Sequence, residues 1–494
     1  MRDLELVLLV GELLTFLILV VPSLRSVCWA RISAVVAVVL AAAQVIFEGP
    51  RWQMAPAYVL SGLLLAVSWA HSMERTATAR PARLRIAAFV TFGAFALVLA
   101  TALPELLPVF HFPQPTGPYG IGTVTYHWVD ASRPDIFGPT PGAHRELMVQ
   151  VWYPAQRNKD PRRAPYVAPG TRFEALNRLG HLPPFFLDHL EYVTTNAQPS
   201  APMAAAPVRF PVLVFSPGRG GFRQNSTFQV EELVSRGYVV VGIDHAYTVA
   251  DVVFPDGRHV ALDPRVAAFM LDEHVVDDTF MLAVFDNLGQ VAVFTLNRLS
   301  SLDSGDPAQL LTGRLDLQHV GVFGSSLGGI AAAEACRLDR RFQCCLMLDV
   351  AAPPNVVRSG LQQPAMWISA TLETKRREGW TPSAIREQET TTRDVFSGLP
   401  GDGYRVLIPG MFHAEIGDTP YIFARPLGTW LGITGPADWR RTHAIINAYS
   451  LAFFDEYLKS EPEPLLNGPS QAFPGVTFER RKTRLAQPAQ ESGR

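Results

Sequence analysis

Charge is scarce in this 494-residue chain: Asp, Glu, Lys and Arg together make up 18%, below the roughly 25% usual in soluble domains. Part of the chain is therefore expected to avoid water. A basic excess is also missing, with 43 Lys and Arg against 45 Asp and Glu, which argues against nucleic acid as a partner. Four cysteines in this length do not make a disulfide framework. The 40 prolines and 37 glycines follow no fixed period, which excludes collagen-like and low-complexity architectures. The 12 histidines show no metal-ligand spacing, so no metal or other cofactor is expected.

The shortage of charge is uneven. Residues 1–112 hold no lysine, eight arginines (2, 25, 31, 51, 75, 80, 83 and 85) and six acids (3, 5, 12, 48, 74 and 105). No charge falls between Arg31 and Glu48, between Arg51 and Glu74, or between Arg85 and Glu105. A helix needs about 17–25 predominantly apolar residues to cross the hydrocarbon core, so four transmembrane spans are expected near 4–22, 29–47, 53–72 and 86–107. A buried soluble bundle would also be apolar all round, but four such segments joined by short arginine-bearing loops favour a bilayer as partner. The N-terminus, Arg2-Asp3-Leu4-Glu5, lacks the basic character and cleavage site of a signal peptide. Arginines crowd the loops 22–31 and 71–85, which places those loops in the cytoplasm and everything from about residue 113 outside it. Glu12 lies within the first span, where a carboxylate is costly. A partner within the bundle, or a place near the interface, is the preferred reading over a functional site.

Pro113, Pro115, Gly117 and Pro118 form a linker to a second region with an ordinary soluble charge balance. Two domains are expected, 1–112 and 113–494. Short apolar runs at 124–129, 147–153, 211–216, 238–243, 319–324, 344–349, 365–369 and 404–408 read as strands. Helical patterns separate them, notably at 227–236, 274–298, 329–338 and 440–458. The later strands are nearly continuous apolar runs, as parallel strands covered on both faces require. The expected fold is α/β, a mostly parallel central sheet of about eight strands of the hydrolase type, preceded by the four-helix transmembrane region.

The sharpest motif is Gly324-Ser325-Ser326-Leu327-Gly328, a G-x-S-x-G that follows an apolar strand and opens an alanine-rich helix. In that context the serine stands on a tight strand-to-helix turn, above the sheet, where the helix N-terminus favours a developing oxyanion. A serine hydroxyl needs a base, and the base needs an orienting acid. With the chain order serine, acid, histidine, Asp349 at the end of the next apolar strand is the candidate acid. His413, in the loop Pro409-Gly410-Met411-Phe412-His413, is the candidate base. His443 lies within an expected helix and reads as structural, and Asp244 precedes the serine and has the wrong order. The oxyanion hole would use the backbone N–H of Leu327 and one from Phe215-Ser216-Pro217-Gly218-Arg219-Gly220-Gly221. That glycine-rich loop lacks the Gly-Lys-Ser/Thr ending of a nucleotide cradle.

From about residue 117 to 480 the chain resembles the plasma-type platelet-activating factor acetylhydrolases and their bacterial relatives, within the α/β-hydrolase superfamily. The resemblance rests on Gly117-Pro118-Tyr119-Gly120-Ile121-Gly122, the 215–223 loop, Gly237-Tyr238-Val239-Val240 with Asp244-His245, the Ser326 turn, Arg341-Phe342-Gln343-Cys344 leading to Leu348-Asp349, and the His413 loop. It implies Ser326 as nucleophile, Asp349 as acid, His413 as base, and the N–H groups of Arg219 and Leu327 as oxyanion hole. It also implies calcium-independent hydrolysis of short or oxidised acyl chains from phospholipids, or general carboxylesterase activity. Two positions depart from the family pattern, Ser325 and Pro217, each where relatives usually carry histidine. The four N-terminal spans lie outside the resemblance.

Residues 160–205, with Pro183, Pro184, Phe185, Phe186, Leu187 and Leu190, form an insertion that reads equally as a lid or lipid-facing element and as ordinary core packing. Cys336, Cys344 and Cys345 sit in apolar settings and are expected as buried thiols. The leading expectation is a membrane-anchored serine ester hydrolase with an ester or phospholipid substrate. Its alternatives are a generic short-chain carboxylesterase and a non-catalytic membrane scaffold built on a hydrolase fold. Oligomeric state is left open.

Overall fold

The computed structural model of the protein describes residues 1–24, 26–73, 82–137, 142–157, 162–269 and 278–482. Arg25, Arg75 and Arg80, on which part of the orientation reading rests, lie outside the described residues. The chain divides into two compact units. One comprises Met1–Phe110, Asp188–Tyr192 and Tyr421–Leu427, and the other His111–Leu187, Val193–Pro420 and Gly428–Arg494.

In the first unit each charge-poor stretch forms one helix: α1 (Asp3–Val20), α2 (Val27–Phe47), α3 (Ala55–Met73) and α4 (Ala82–Leu106). Small side chains such as Ala34, Ala37 and Ala57 are buried between them, whereas Leu14, Val39, Val59 and Val98 are more than half exposed. The unit thus presents large apolar side chains outward and buries Glu5, Glu12 and Arg51 within it, the reverse of a water-soluble bundle. Arg51 reaches Glu5 with two nitrogens, Nε to Oε1 at 2.7 Å and Nη2 to Oε2 at 2.6 Å, and its Nη1 donates to the Leu107 carbonyl at 2.9 Å. Ser61 Oγ lies 2.6 Å from Glu12 Oε1, so the acid has a partner within the bundle, as the sequence favours. Tyr192, from the sequence insertion, donates its hydroxyl to the Pro50 carbonyl at 2.7 Å.

The segments Cys28–Phe47, Trp52–Ala70 and Ala87–Leu106 are long and apolar enough to cross a membrane. Helix α1 is of similar length but carries Asp3, Glu5 and Glu12. Thr279–Ser304 in the second unit also qualifies by length and apolarity, yet its Val291, Ala292, Leu296 and Leu299 belong to the core against the sheet. Length and apolarity alone therefore do not single out a span.

The second unit is built on one mixed sheet. Its strands are β1 (Gly120–Pro134), β2 (His144–Ala155), β3 (Gln198–Pro199), β4 (Phe210–Ser216) and β5 (Val239–His245). A separate ribbon follows, β6 (Asp251–Val253) with β7 (His259–Ala261). The sheet continues with β8 (Leu315–Ser325), β9 (Phe342–Leu348), β10 (Ala365–Ala370), β11 (Gly403–Ile408) and β12 (Thr477–Arg481). The order is β12-β11-β10-β9-β8-β4-β5-β2-β1-β3. All eight expected segments are strands, but the sheet has ten, which corrects the count of about eight. The extra two are edges. Strand β3 is two residues long, and β12 reads Thr-Phe-Glu-Arg-Arg, too polar to signal a strand, and pairs with β11. The six strands from β5 to β11 across the centre run parallel, and β1, β2 and β12 add antiparallel pairs.

Helices cover the sheet: α5 (Glu174–Leu179) in the insertion, α6 (Thr227–Ser235), α7 (Pro264–Ala268), α8 (Asp278–Ser304), α9 (Leu327–Leu338), α10 (Pro354–Ser359), α11 (Leu372–Glu378) and α12 (Pro382–Gly398). Within the insertion Leu187 and Leu190 are buried while Phe185 is half exposed, so packing accounts for the first two. Cys336, Cys344 and Cys345 are free, buried thiols.

Candidate active site

The central parallel strands end on one rim, and the chemistry-bearing side chains collect there. Strand β8 stops at Ser325, and Ser326 turns the chain into α9 with φ 53° and ψ −122°. A non-glycine residue at positive φ is strained and is tolerated where the surroundings enforce it. Here the Ser326 N–H is held by the Leu348 carbonyl at 2.8 Å. The glycines around it are steric necessities: a Cβ at Gly324 would sit 2.0 Å from the Gly328 carbonyl oxygen.

Asp349 follows β9, fully buried and also at positive φ, 46°. Its N–H donates to the Ile368 carbonyl at 2.8 Å. His413 opens a short turn beyond β11, and its backbone N–H donates to Glu378 Oε1 at 2.7 Å. The structure brings the three together in a line: His413 Nδ1 is 2.8 Å from Asp349 Oδ2, and His413 Nε2 is 3.0 Å from Ser326 Oγ. A carboxylate accepts, so Nδ1 carries the proton, which leaves Nε2 as the acceptor for the serine hydroxyl. Burial alone would raise the Asp349 carboxyl, but the Lys375 charge and the His413 hydrogen bond hold it well below the usual carboxylate range.

A cavity of about 550 Å³ opens over this line. Val266, Phe269, Met281, Leu327, Ile330 and Val350 give it an apolar side, and Gly218, Arg219, Ser326, Glu378, Trp380 and His413 also line it. The backbone N–H groups of Arg219 and Leu327 have no acceptor among the described residues. Burial lowers the Arg219 guanidinium from its ordinary value. Of the two departures from the family pattern, Ser325 lines the cavity, with its Oγ 3.4 Å from that of Ser226, and Pro217 does not.

The residues set aside in the sequence lie elsewhere. Asp244 is engaged by Arg223 through its backbone N–H at 2.6 Å and its guanidinium. His443 is buried in the helix Trp439–Phe454, near the carbonyls of Glu415 and Gly417 at 3.0 and 3.2 Å, and burial pushes it down to about 3. Sequence reasoning missed α11 and α12 and the layer they place behind the line. Thr374 Oγ accepts from Gly410 N–H at 2.8 Å, Glu378 holds His413, and Lys375 Nζ lies 3.3 Å from Asp349 Oδ1. The one available signal was Thr371, whose side chain caps α11 by accepting from Thr374 N–H.

Comparison with known proteins now decides the family. The description platelet-activating factor acetylhydrolase, isoform II, matches residues 108–258 and 287–464. The chain belongs to that family. The match starts after the four N-terminal helices, as the sequence resemblance does. A guinea-pig (Cavia porcellus) relative named platelet-activating factor acetylhydrolase is 24% identical over 364 residues, 70% of this chain and 78% of its own. A chicken (Gallus gallus) acetylhydrolase of the same name is 21% identical, and the alignment spans 62% of its length. A probable 1-alkyl-2-acetylglycerophosphocholine esterase of Arthroderma benhamiae is 24% identical over 77% of this chain and 97% of its own. Among solved structures, a ferulic acid esterase from Streptomyces cinnamoneus is 33% identical, covers 75% of this chain and 99% of its own, and superposes with a TM-score of 0.59. These relatives are ester hydrolases by name, and the family likeness extends to that activity.

Proposed function

We propose that the protein is a membrane-anchored serine ester hydrolase that works through an acyl-enzyme. The observation that carries the reading is the Ser326–His413–Asp349 hydrogen-bonded line at the floor of a cavity with an apolar side. Ser326 Oγ attacks the ester carbonyl as its proton passes to His413 Nε2. Asp349 holds the imidazole in the required tautomer and stabilises its cation. The N–H groups of Arg219 and Leu327 bind the tetrahedral oxyanion, where one such donor is worth about 10²–10³ in kcat. His413 then protonates the leaving alcohol. Water, activated by the same histidine, releases the acid and restores Ser326.

For the substrate, the family relationship supports a phospholipid with a short or oxidised acyl chain, and the apolar wall from Val266 to Val350 suits a modest acyl group. A second reading, a smaller carboxylic ester, is favoured by the ferulic acid esterase, which has the higher identity of the relatives above. A non-catalytic scaffold would have no need of the three aligned groups. Hydrolysis of a 2-acetyl phospholipid and of a p-nitrophenyl ester by the full chain in detergent separates the first two. Preference for the phospholipid in kcat/KM supports the first, and indifference supports the second.

The bilayer as partner is supported by the outward apolar side chains of α1–α4 and by the burial of Glu5, Glu12 and Arg51. By the arginine distribution the catalytic domain, from residue 113 onward, lies outside the cytoplasm. A cysteine replacing Thr76, which lies outside the described residues, is then shielded from impermeant thiol reagents in intact cells. Labelling there from outside contradicts this topology.

A further inference from the structure

The Asp349 carboxylate divides its two oxygens between different tasks. Oδ2 takes His413 Nδ1, while Oδ1 faces three donors: Ala370 N–H at 3.3 Å, Gln388 Nε2 at 3.3 Å and Lys375 Nζ at 3.3 Å. Lys375 is 3% exposed, unusual for a lysine without a firm partner. Its Nζ donates to Gln388 Oε1 at 2.6 Å and lies 5.2 Å from the centroid of the Trp380 ring. Trp380 in turn meets the His413 imidazole edge-on, with centroids 5.5 Å apart. Gln388 links the cluster to Ser369 Oγ at 3.4 Å. No route for substrate to Nζ is needed for this cation to act, because it sits behind the acid.

We propose that Lys375 is a positioning residue of the esterase site, whose buried ammonium fixes the Asp349 carboxylate and keeps His413 in its unprotonated, proton-accepting form. The inference rests on the serine-esterase reading above. Its physical basis is charge balance. An isolated carboxylate beside an imidazole favours the imidazolium, which cannot accept the Ser326 proton. A cation on the far side of that carboxylate offsets part of this attraction. The other charged or titratable groups around His413 are Glu378 from α11, whose Oε1 accepts the His413 N–H, and Glu415 of its own turn, which accepts from Phe412 and Gly435 N–H. Arg219 stands on the cavity wall. Burial raises both Glu378 and Glu415 from their ordinary values, and among the described residues Lys375 is the cation paired with the acid, at 3.3 Å.

The test is the pH profile of kcat/KM of the full chain, with Lys375→Met, Lys375→Gln and Lys375→Arg beside the wild type. Loss of the charge favours the imidazolium, so the acidic limb is expected to move up by about one pH unit in Lys375→Met and Lys375→Gln. Lys375→Arg, which keeps the charge, returns the limb toward its wild-type place. A merely structural lysine would lower the plateau in all three and leave the limb unmoved, and that result overturns the proposal. Should the two neutral variants fail to fold, Gln388→Leu supplies the readout. It removes the hydrogen bond that aims Nζ and also the amide's own donation to Asp349 Oδ1, while leaving the cation. Its acidic limb is therefore expected to rise by a smaller amount, which Gln388→Glu, keeping the acceptor for Nζ, separates from loss of the donor. An unmoved limb in Gln388→Leu again overturns the proposal. Labelling of wild-type Ser326 by a fluorophosphonate is measured alongside. If the wild type does not label, the serine-esterase reading itself falls; if it labels and no limb moves, only the role of Lys375 falls.

Discussion

Gly328 stands so close to the carbonyl of Ser216 that a Cβ at Gly328 would lie 1.9 Å from that oxygen. The contact locks the start of α9 against the end of β4, and so fixes Ser326 relative to the Arg219 loop. Gly328→Ala must push backbone away from backbone, since no flexible side chain can yield. We expect a loss of about 1–3 kcal/mol in unfolding free energy, together with a fall in kcat larger than the lost folded fraction explains. Thermal unfolding and kcat measured on the same preparation check both.

Asp349→Asn keeps the shape of the side chain but replaces the carboxylate that accepts from His413 Nδ1. The amide favours the wrong tautomer, with the proton on Nε2 facing Ser326. A drop in kcat of about 10⁴ is expected, with folding retained. A near-wild-type kcat would remove Asp349 from the mechanism.

His443 gives a pH-dependent stability with a definite sign. Its ring stacks on Phe228 with centroids 3.7 Å apart, and burial pushes it down from 6.5 to about 3. The unfolded chain therefore takes up a proton below about pH 6.5 that the folded chain refuses, so stability present above that pH is lost as pH falls. His443→Asn lacks this sensitivity. The stability gap between wild type and variant is expected to narrow by about 2 kcal/mol from about pH 7 to about pH 5. Denaturant titrations at the two pH values measure it, and a gap that widens contradicts the buried neutral imidazole.

The Glu5–Arg51 pair makes an opposite demand. Both side chains are buried, at 0% and 1% exposure, and although Arg2 also reaches Glu5 at 2.8 Å, removing Arg51 takes from the acid its fully buried partner. Arg51→Met is expected to cost about 3 kcal/mol, read as lower thermal stability in detergent. Glu5→Leu together with Arg51→Met should recover most of that, because neither buried charge of the pair then remains and Arg2 keeps Glu48 at 3.6 Å. A double variant no better than the single would show that the pair is not the cause.

Much of this architecture was legible in the sequence because it rests on strong local constraints. Three charge gaps marked α2, α3 and α4, the apolar stretch around Glu12 marked α1, and the continuous apolar runs marked eight of the ten sheet strands. Gly324 and Gly328 mark the Ser326 turn because backbone fills the space a side chain would take. What escaped was polar. Strand β12 carries Glu479, whose carboxylate meets Arg405 at 3.0 Å, and in sequence a paired edge strand of charges resembles a loop. Lys375 carries no signal in the sequence, since nothing in its neighbours along the chain reveals that Asp349 lies opposite. The Asp349 and His413 loops were found by order and position, whereas the α11 layer that steadies them depends on contacts between residues far apart in sequence.

In the proposed mechanism Ser326 is the group acylated by substrate. Incubation of the full chain in detergent with a fluorophosphonate, followed by peptide mass analysis, tests it most directly. A single adduct on Ser326, simultaneous loss of ester hydrolysis, and neither label nor turnover in Ser326→Ala are the expected outcome. An adduct on another residue, or undiminished hydrolysis by Ser326→Ala, would contradict it.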